Sequence, residues 1–271
     1  MAAKTVEIDS ISYYTVLEGP ADGKLVVLIH ALMANMEIWD STVPALNKAG
    51  YKTLRYDHVG HNKTPAPSDP NRSFHFDDFT RHIQHIIQTR CPNDKPYALV
   101  GCSIGGVLVL RYAQMYPGSA QKIISCAAPG AKSLEVSKPK WASRIEQFKA
   151  EGTVDNLAVA TVERWFPEPC EPSIREKALQ ITKTCTLPGY EICAKCTTNY
   201  DYSGELEQIK KEQVLILAGE NDSNIGPKEV LVDVHMKIKG SRYVLMKDTG
   251  HIPPQHQPAD FEKILLDFLQ E

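Results

Sequence analysis

Short apolar runs recur along the chain at residues 11–18, 24–29, 52–56, 97–100, 122–127, 214–218 and 243–246, with helix-forming segments between them. Strands that alternate with helices in this way imply an α/β fold with a mostly parallel central sheet and helices on both faces. Leu25-Val26-Val27-Leu28-Ile29 and Val214-Leu215-Ile216-Leu217 are apolar without interruption. Strands covered on both faces have that pattern, so these two belong at the centre of the sheet. The last segment repeats at a helical period instead. Phe261, Ile264, Leu265, Phe268 and Leu269 fall on one apolar stripe that packs on the sheet, and Pro258 suits the first turn of that helix.

Residues 130–210 interrupt the alternation. They hold no convincing buried strand, and Trp141, Phe148, Trp165 and Phe166 stand there among helix formers. This segment reads as a helical lid, or cap, inserted in a core made of residues 1–129 and 211–271. Lids of this sort sit over the carboxyl ends of the strands, where open α/β sheets bind ligands, so a pocket is expected between lid and sheet. No internal repeat, low-complexity segment or long Gly/Ser linker marks a separate second domain. Thr64-Pro65-Ala66-Pro67 reads as a surface loop.

At 271 residues, with 42% hydrophobic and 23% charged side chains, the chain has the size and composition of one globular domain carrying an insertion. Its net charge of -3 is spread over mixed signs with no basic run, which argues against a nucleic-acid partner. Met1 to Ser10 lacks the apolar core of a signal peptide, and no later run is long enough to span a bilayer. No membrane association is expected, and the default location is cytoplasmic. Seven scattered cysteines fit reduced thiols rather than a disulfide framework. Cys193 and Cys196 have CxxC spacing, but neither a strand-to-helix start nor a further set of ligands accompanies them; they read as small apolar residues on one helix face. No metal site is read, and without a dinucleotide G-x-G-x-x-G after the first long strand no cofactor is implied.

The chemical signal lies at Gly101-Cys102-Ser103-Ile104-Gly105-Gly106, which follows the run at 97–100 and precedes a helical pattern over 107–116 ending at Pro117. This is strand, G-x-S-x-G, helix. The turn is so tight that the residues two before and two after the serine must be small, and it lifts the hydroxyl above the sheet at a helix N-terminus. A Gly-rich turn with an incidental serine is the bland alternative, and the strand-to-helix setting favours the nucleophile.

An unassisted serine is a poor nucleophile at neutral pH, so a base and an orienting acid must follow in the order Ser, Asp or Glu, His. Asp222 follows the run at 214–218, and His251 follows the run at 243–246, so both emerge at the carboxyl ends of strands. Glu220 competes with Asp222. Of the other histidines, His75, His82 and His85 lie on or beside one helix, His235 lies on another, and His256 belongs to a Pro-rich terminal loop. His30, His58 and His61 lie at the catalytic end but precede the elbow, and read as braces for loops. One oxyanion donor is the Ile104 N–H, directly after the nucleophile. The second is expected after the run at 24–29, where His30-Ala31-Leu32-Met33 points to the Leu32 N–H.

With these residues in place, the chain resembles the α/β-hydrolase fold family over essentially its whole length. Within that fold it most resembles the 3-oxoadipate enol-lactonases. The matching segments are His30-Ala31-Leu32-Met33-Ala34-Asn35-Met36-Glu37-Ile38-Trp39-Asp40 and Tyr56-Asp57-His58-Val59-Gly60-His61. In the lid they are Trp141-Ala142-Ser143-Arg144-Ile145, Val162-Glu163-Arg164-Trp165-Phe166 and Gly189-Tyr190-Glu191-Ile192-Cys193. The family's usual Arg and Gly in the Asp57 loop are Val59 and Asn62 here, and its first-loop glycine is Ala31. The resemblance therefore implies hydrolysis of a lactone or ester more firmly than of 3-oxoadipate enol-lactone itself.

The expected chemistry is attack of Ser103 on a small-molecule lactone or ester through an acyl-enzyme, with His251 as base and Asp222 holding its tautomer. Trp141 and Trp165 are candidates to wall the pocket, and Arg144 or Arg164 to pair with a substrate carboxylate. Core packing and a structural ion pair are the competing readings of these four. A carboxylesterase, a carbon–carbon bond hydrolase or an acyltransferase would use the same triad. A ligand-sensing receptor on the same fold is the alternative from another class.

Overall fold

The computed structural model describes residues 2–69, 72–223 and 225–271. Eight strands form one sheet: β1 (Ala2–Ile8), β2 (Ile11–Glu18), β3 (Lys24–Ile29), β4 (Tyr51–Tyr56), β5 (Ala98–Cys102), β6 (Lys122–Cys126), β7 (Gln213–Gly219) and β8 (Arg242–Met246). Their spatial order is β1-β2-β4-β3-β5-β6-β7-β8. From β4 to β8 every neighbouring pair is parallel. The two uninterrupted apolar runs are β3 and β7, and every residue after the first of each is buried.

The first two strands depart from the parallel rule. β1 pairs antiparallel with β2, and β2 antiparallel with β4. A two-residue turn at Asp9 and Ser10, both at positive φ (52° and 65°), closes the hairpin, and so short a link permits only antiparallel pairing. β1 itself is missing from the sequence reading. It is an edge strand in which only Val6 and Ile8 are buried, too weak an apolar alternation to stand out.

The helices are α1 (Thr42–Lys48), α2 (Phe76–Arg90), α3 (Ile104–Met115), α4 (Lys138–Glu151), α5 (Asp155–Trp165), α6 (Pro172–Thr182), α7 (Leu187–Thr198), α8 (Lys228–Lys237), α9 (Pro253–His256) and α10 (Pro258–Gln270). α10 starts at Pro258 and buries Phe261, Leu265, Phe268 and Leu269, with Ile264 half-buried beside them. Each such side chain contributes roughly 1.5–3 kcal/mol on leaving water. α10 packs on α1, and α2 on α3. Among the described residues no helix is long and apolar enough to cross a membrane.

Helices α4 to α7 fill the interval between β6 and β7 and pack as the pairs α4 with α7 and α5 with α6. Phe148, Trp165 and Phe166 are buried there, and Trp141 is partly so. The α6–α7 turn is stitched to the loop after β4: the Asn62 amide donates to the Thr184 carbonyl at 3.1 Å, and the Thr186 amide to that of Gly60 at 2.9 Å. Parallel strands place their following loops on one edge of the sheet, so the segments after β3, β5, β7 and β8 converge beneath these helices.

Candidate active site

β5 ends at Cys102 and α3 begins at Ile104, leaving Ser103 alone between them. Its backbone takes φ 58° and ψ -117°, a conformation unfavourable for any residue with a Cβ. The two glycines make the turn possible by close approach. A Cβ on Gly101 would lie 2.0 Å from the Gly105 carbonyl oxygen, and one on Gly105 2.3 Å from that of Ile29. The Ser103 amide donates to the Cys126 carbonyl at 2.9 Å, which ties the turn to β6.

Ser103 Oγ lies 2.9 Å from His251 Nε2, and His251 Nδ1 lies 2.6 Å from Asp222 Oδ2. Asp222 also accepts the Ile225 amide at 3.2 Å on Oδ1 and the Gly226 amide at 3.0 Å on Oδ2. The carboxylate is thus an acceptor surrounded by donors. That arrangement places the imidazole proton on Nδ1 and turns the Nε2 lone pair toward the serine. All three side chains are buried, with exposures of 4%, 1% and 2% for Ser103, His251 and Asp222. Glu220 is turned away: its Oε2 accepts the Asp248 amide at 3.2 Å.

Leu32, Ile104, Trp141, Arg144, Arg164 and Trp165 all border the cavity in which Ser103 and His251 meet. Neither the Leu32 nor the Ile104 amide donates a hydrogen bond among the described residues. Arg144 lies over the Trp141 ring, 5.1 Å from its centroid. Arg164 donates to Thr161 Oγ1 at 2.7 Å, while its buried Nε has no partner among the described residues. Burial, and then the neighbouring Arg144, push the Arg164 guanidinium down to about 10. The cavity walls also include Met33, Thr161 and Tyr190, which the sequence reading did not assign to the site. Tyr190 stands inside one of the lactonase-like lid segments, and nothing short-range distinguishes a lining threonine from a packing one.

His30, His58 and His61 fasten the loops that follow β3 and β4. The His58 amide donates to His30 Nε2 at 2.8 Å, and the Met33 amide to His61 Nε2 at 3.2 Å. Asp57 reinforces the same loops by accepting the Met36 and Lys63 amides and the Asn62 side chain, although burial pushes its carboxyl up to about 6. Burial drives His58 down to about 3 and His61 to about 4, and places His30 well below the usual range. The unfolded chain therefore takes up these protons first as the pH falls below about 6.5. The stabilisation is complete above that value and is lost as the pH drops toward the folded values. Urea midpoints measured near about pH 7.5 and about pH 4.5 should show a marked acid loss in the wild-type chain and a smaller one in His61→Gln. An equal loss in both would remove His61 from this account.

Cys193 and Cys196 are buried free thiols on α7, and Cys196 Sγ donates to the Phe74 carbonyl at 3.0 Å.

The family model for the alpha/beta hydrolase fold matches residues 24–254, a span that contains the elbow, Asp222 and His251. The chain belongs to the alpha/beta hydrolase family. Monoacylglycerol lipase ABHD6 of Homo sapiens is 20% identical to this hydrolase-family chain over 273 residues, covering 92% of this chain and 76% of the lipase. The enol-lactonase from Burkholderia xenovorans superposes with a TM-score of 0.88 at 23% identity, covering 98% of this chain and 100% of that one. The esterase from Exiguobacterium antarcticum superposes with a TM-score of 0.89 at 21% identity, covering 100% of both chains. At these identities the solved structures establish a shared fold, and the chemistry must be argued from the residues.

Proposed function

We propose that this α/β-hydrolase opens an ester or lactone through an acyl-enzyme, with Ser103 as nucleophile, His251 as general base and Asp222 as the group that orients it. The observation that carries this reading is the unbroken contact series from Ser103 Oγ to His251 Nε2 (2.9 Å) and from His251 Nδ1 to Asp222 Oδ2 (2.6 Å). Ser103 Oγ adds to the substrate carbonyl while Nε2 takes its proton. The amides of Leu32 and Ile104, two donors on the cavity wall without a partner among the described residues, hold the oxyanion. Collapse of the tetrahedral intermediate breaks the carbonyl carbon–oxygen bond, and His251 returns the proton to the leaving oxygen. The same imidazole then activates water for deacylation. An enolate leaving group makes the first half easier because it carries negative charge well.

Residues 130–210 act in this reading as a cap over a core of residues 1–129 and 211–271. The cavity beside Ser103 is walled by Trp141 and Arg144 of α4, Thr161, Arg164 and Trp165 of α5, and Tyr190 of α7, so the cap helices bound the space that the substrate must fill. Trp141 and Trp165 wall the cavity. Arg144 and Arg164 select for a carboxylate on the substrate, a role supported by the half-buried Arg164, whose Nε has no partner among the described residues and whose guanidinium donates to the Thr161 hydroxyl.

The test is hydrolysis of a panel containing 3-oxoadipate enol-lactone, neutral lactones, and aryl esters with and without a carboxylate, each with Ser103→Ala alongside. Turnover abolished by that substitution supports the serine mechanism, and the preferred substrate names the class. Arg164→Leu is expected to lower kcat/KM for carboxylate-bearing substrates about 10- to 100-fold, the value of one charge-assisted hydrogen bond. Neutral esters should change less than about threefold. An equal loss on both kinds of substrate would show Arg164 to be structural.

A further inference from the structure

His256 lies outside the Ser103, His251 and Asp222 set, and as a sequence feature it belongs to a Pro-rich terminal loop. In the structure it ends α9 as a buried side chain. Its Nδ1 accepts the Gly250 N–H at 2.8 Å, and Gly250 is the residue directly before His251. The His256 amide donates to the Ile252 carbonyl at 2.9 Å, which fixes the backbone that carries the ring. Phe166 packs edge-on against the imidazole, with centroids 5.5 Å apart.

The neighbouring peptide is held by a second acceptor. The His251 amide donates to the Trp165 carbonyl at 2.8 Å, at the end of α5. That approach leaves no room for a side chain at position 250, where a Cβ would come within 2.1 Å of the same oxygen. Two successive N–H groups, those of Gly250 and His251, are thus each anchored to a fixed acceptor. The backbone that aims the His251 imidazole has little freedom left.

We propose that His256 is a positioning residue for His251: its Nδ1 fixes the Gly250 peptide and through it the line from Asp222 through His251 to Ser103. The inference rests on the serine-hydrolase reading above. A ring that merely satisfies a buried amide would affect stability alone, whereas a positioning ring affects the proton-transfer step. Burial, the largest influence on this imidazole, holds it below the usual histidine range and keeps the Nδ1 lone pair available. An asparagine carries its oxygen the same number of bonds from Cβ as Nδ1 stands in histidine. A phenylalanine keeps the ring volume and removes the acceptor, and a glutamine displaces the acceptor by one bond.

The experiment compares wild type, Ser103→Ala, His256→Phe, His256→Gln and His256→Asn as full chains in two reactions. One is hydrolysis of p-nitrophenyl acetate, read as separate kcat and KM. The other is inactivation by an alkyl fluorophosphonate, in which Ser103 Oγ bonds to phosphorus as fluoride leaves and the serine proton passes to His251 Nε2. His256→Phe is expected to lower kcat and the inactivation rate about 10- to 100-fold, as a displacement of about 1 Å in a reacting group does. KM should stay within about threefold, and His256→Asn should recover both rates to within about threefold of wild type. If the Phe variant does not fold, the Gln variant must fall about tenfold below the Asn variant. Equal rates in Phe and wild type, or an Asn variant as slow as the Phe or Gln variant, would overturn the positioning role. Ser103→Ala that still hydrolyses the ester and reacts with the phosphonate would overturn the serine reading itself, a different failure from the first.

Discussion

Ser103→Ala is expected to lower turnover of any ester or lactone that the wild-type chain hydrolyses by roughly 10⁴- to 10⁶-fold, the range for loss of a triad nucleophile. The substitution deletes one oxygen and leaves the fold's constraints in place. Alanine has the same Cβ that serine carries at φ 58°, and the Ser103 backbone bonds to β6 and α3 do not involve the side chain. Thermal unfolding should therefore shift by no more than a few degrees, roughly what about 1 kcal/mol produces. A residual rate above water is expected from the oxyanion donors and substrate binding alone. The neighbouring Cys102 offers no rescue, since its buried Sγ lies 3.7 Å from the His251 carbonyl oxygen. Activity within tenfold of wild type in this variant would place the nucleophile elsewhere.

Asp222→Asn carries the second large effect, about 10³- to 10⁴-fold on kcat. The Asp222 carboxylate receives the His251 ring and the amides of Ile225 and Gly226. Asparagine has one oxygen for these donors. If its NH₂ faces Nδ1, the imidazole must adopt the other tautomer and loses its lone pair toward Ser103. If its oxygen stays there, the NH₂ meets the Ile225 N–H and the negative charge that stabilises the imidazolium is gone. Glu220→Gln is the matched control. Its carboxylate serves the Asp248 amide, and kcat should remain within about threefold, as for substitutions that leave the reacting groups in place. Steady-state kinetics on the pair decides the assignment, and a collapse in Glu220→Gln with an intact Asp222→Asn would reverse it.

The strands, the elbow and the last helix were legible because their causes are short-range. Full burial writes itself into β3 and β7 as uninterrupted apolar runs, and the apolar stripe of α10 lies within one element. The elbow's steric demand falls on Gly101 and Gly105, two residues either side of the serine. Chain order then pointed to Asp222 and His251, since parallel strands deliver their following loops to one edge of the sheet.

Other features depend on groups distant in the chain. β1 is mostly exposed and owes its place to its partner β2. His256 looks like loop punctuation until the Gly250 amide is seen against its ring. Arg164 gains meaning from which groups stand beside it, and the direction of the Glu220 side chain, toward the Asp248 amide, is visible only in space. Ser103 and His251 are 148 positions apart and meet at 2.9 Å. The sequence by itself determined the fold class, the strained serine turn and the edge of the sheet where chemistry belongs. Only the tertiary structure brought Asp222, His251 and the cavity wall together around Ser103. Periodicity and turn sterics act within a few residues, whereas a hydrogen bond requires approach to about 3 Å in space.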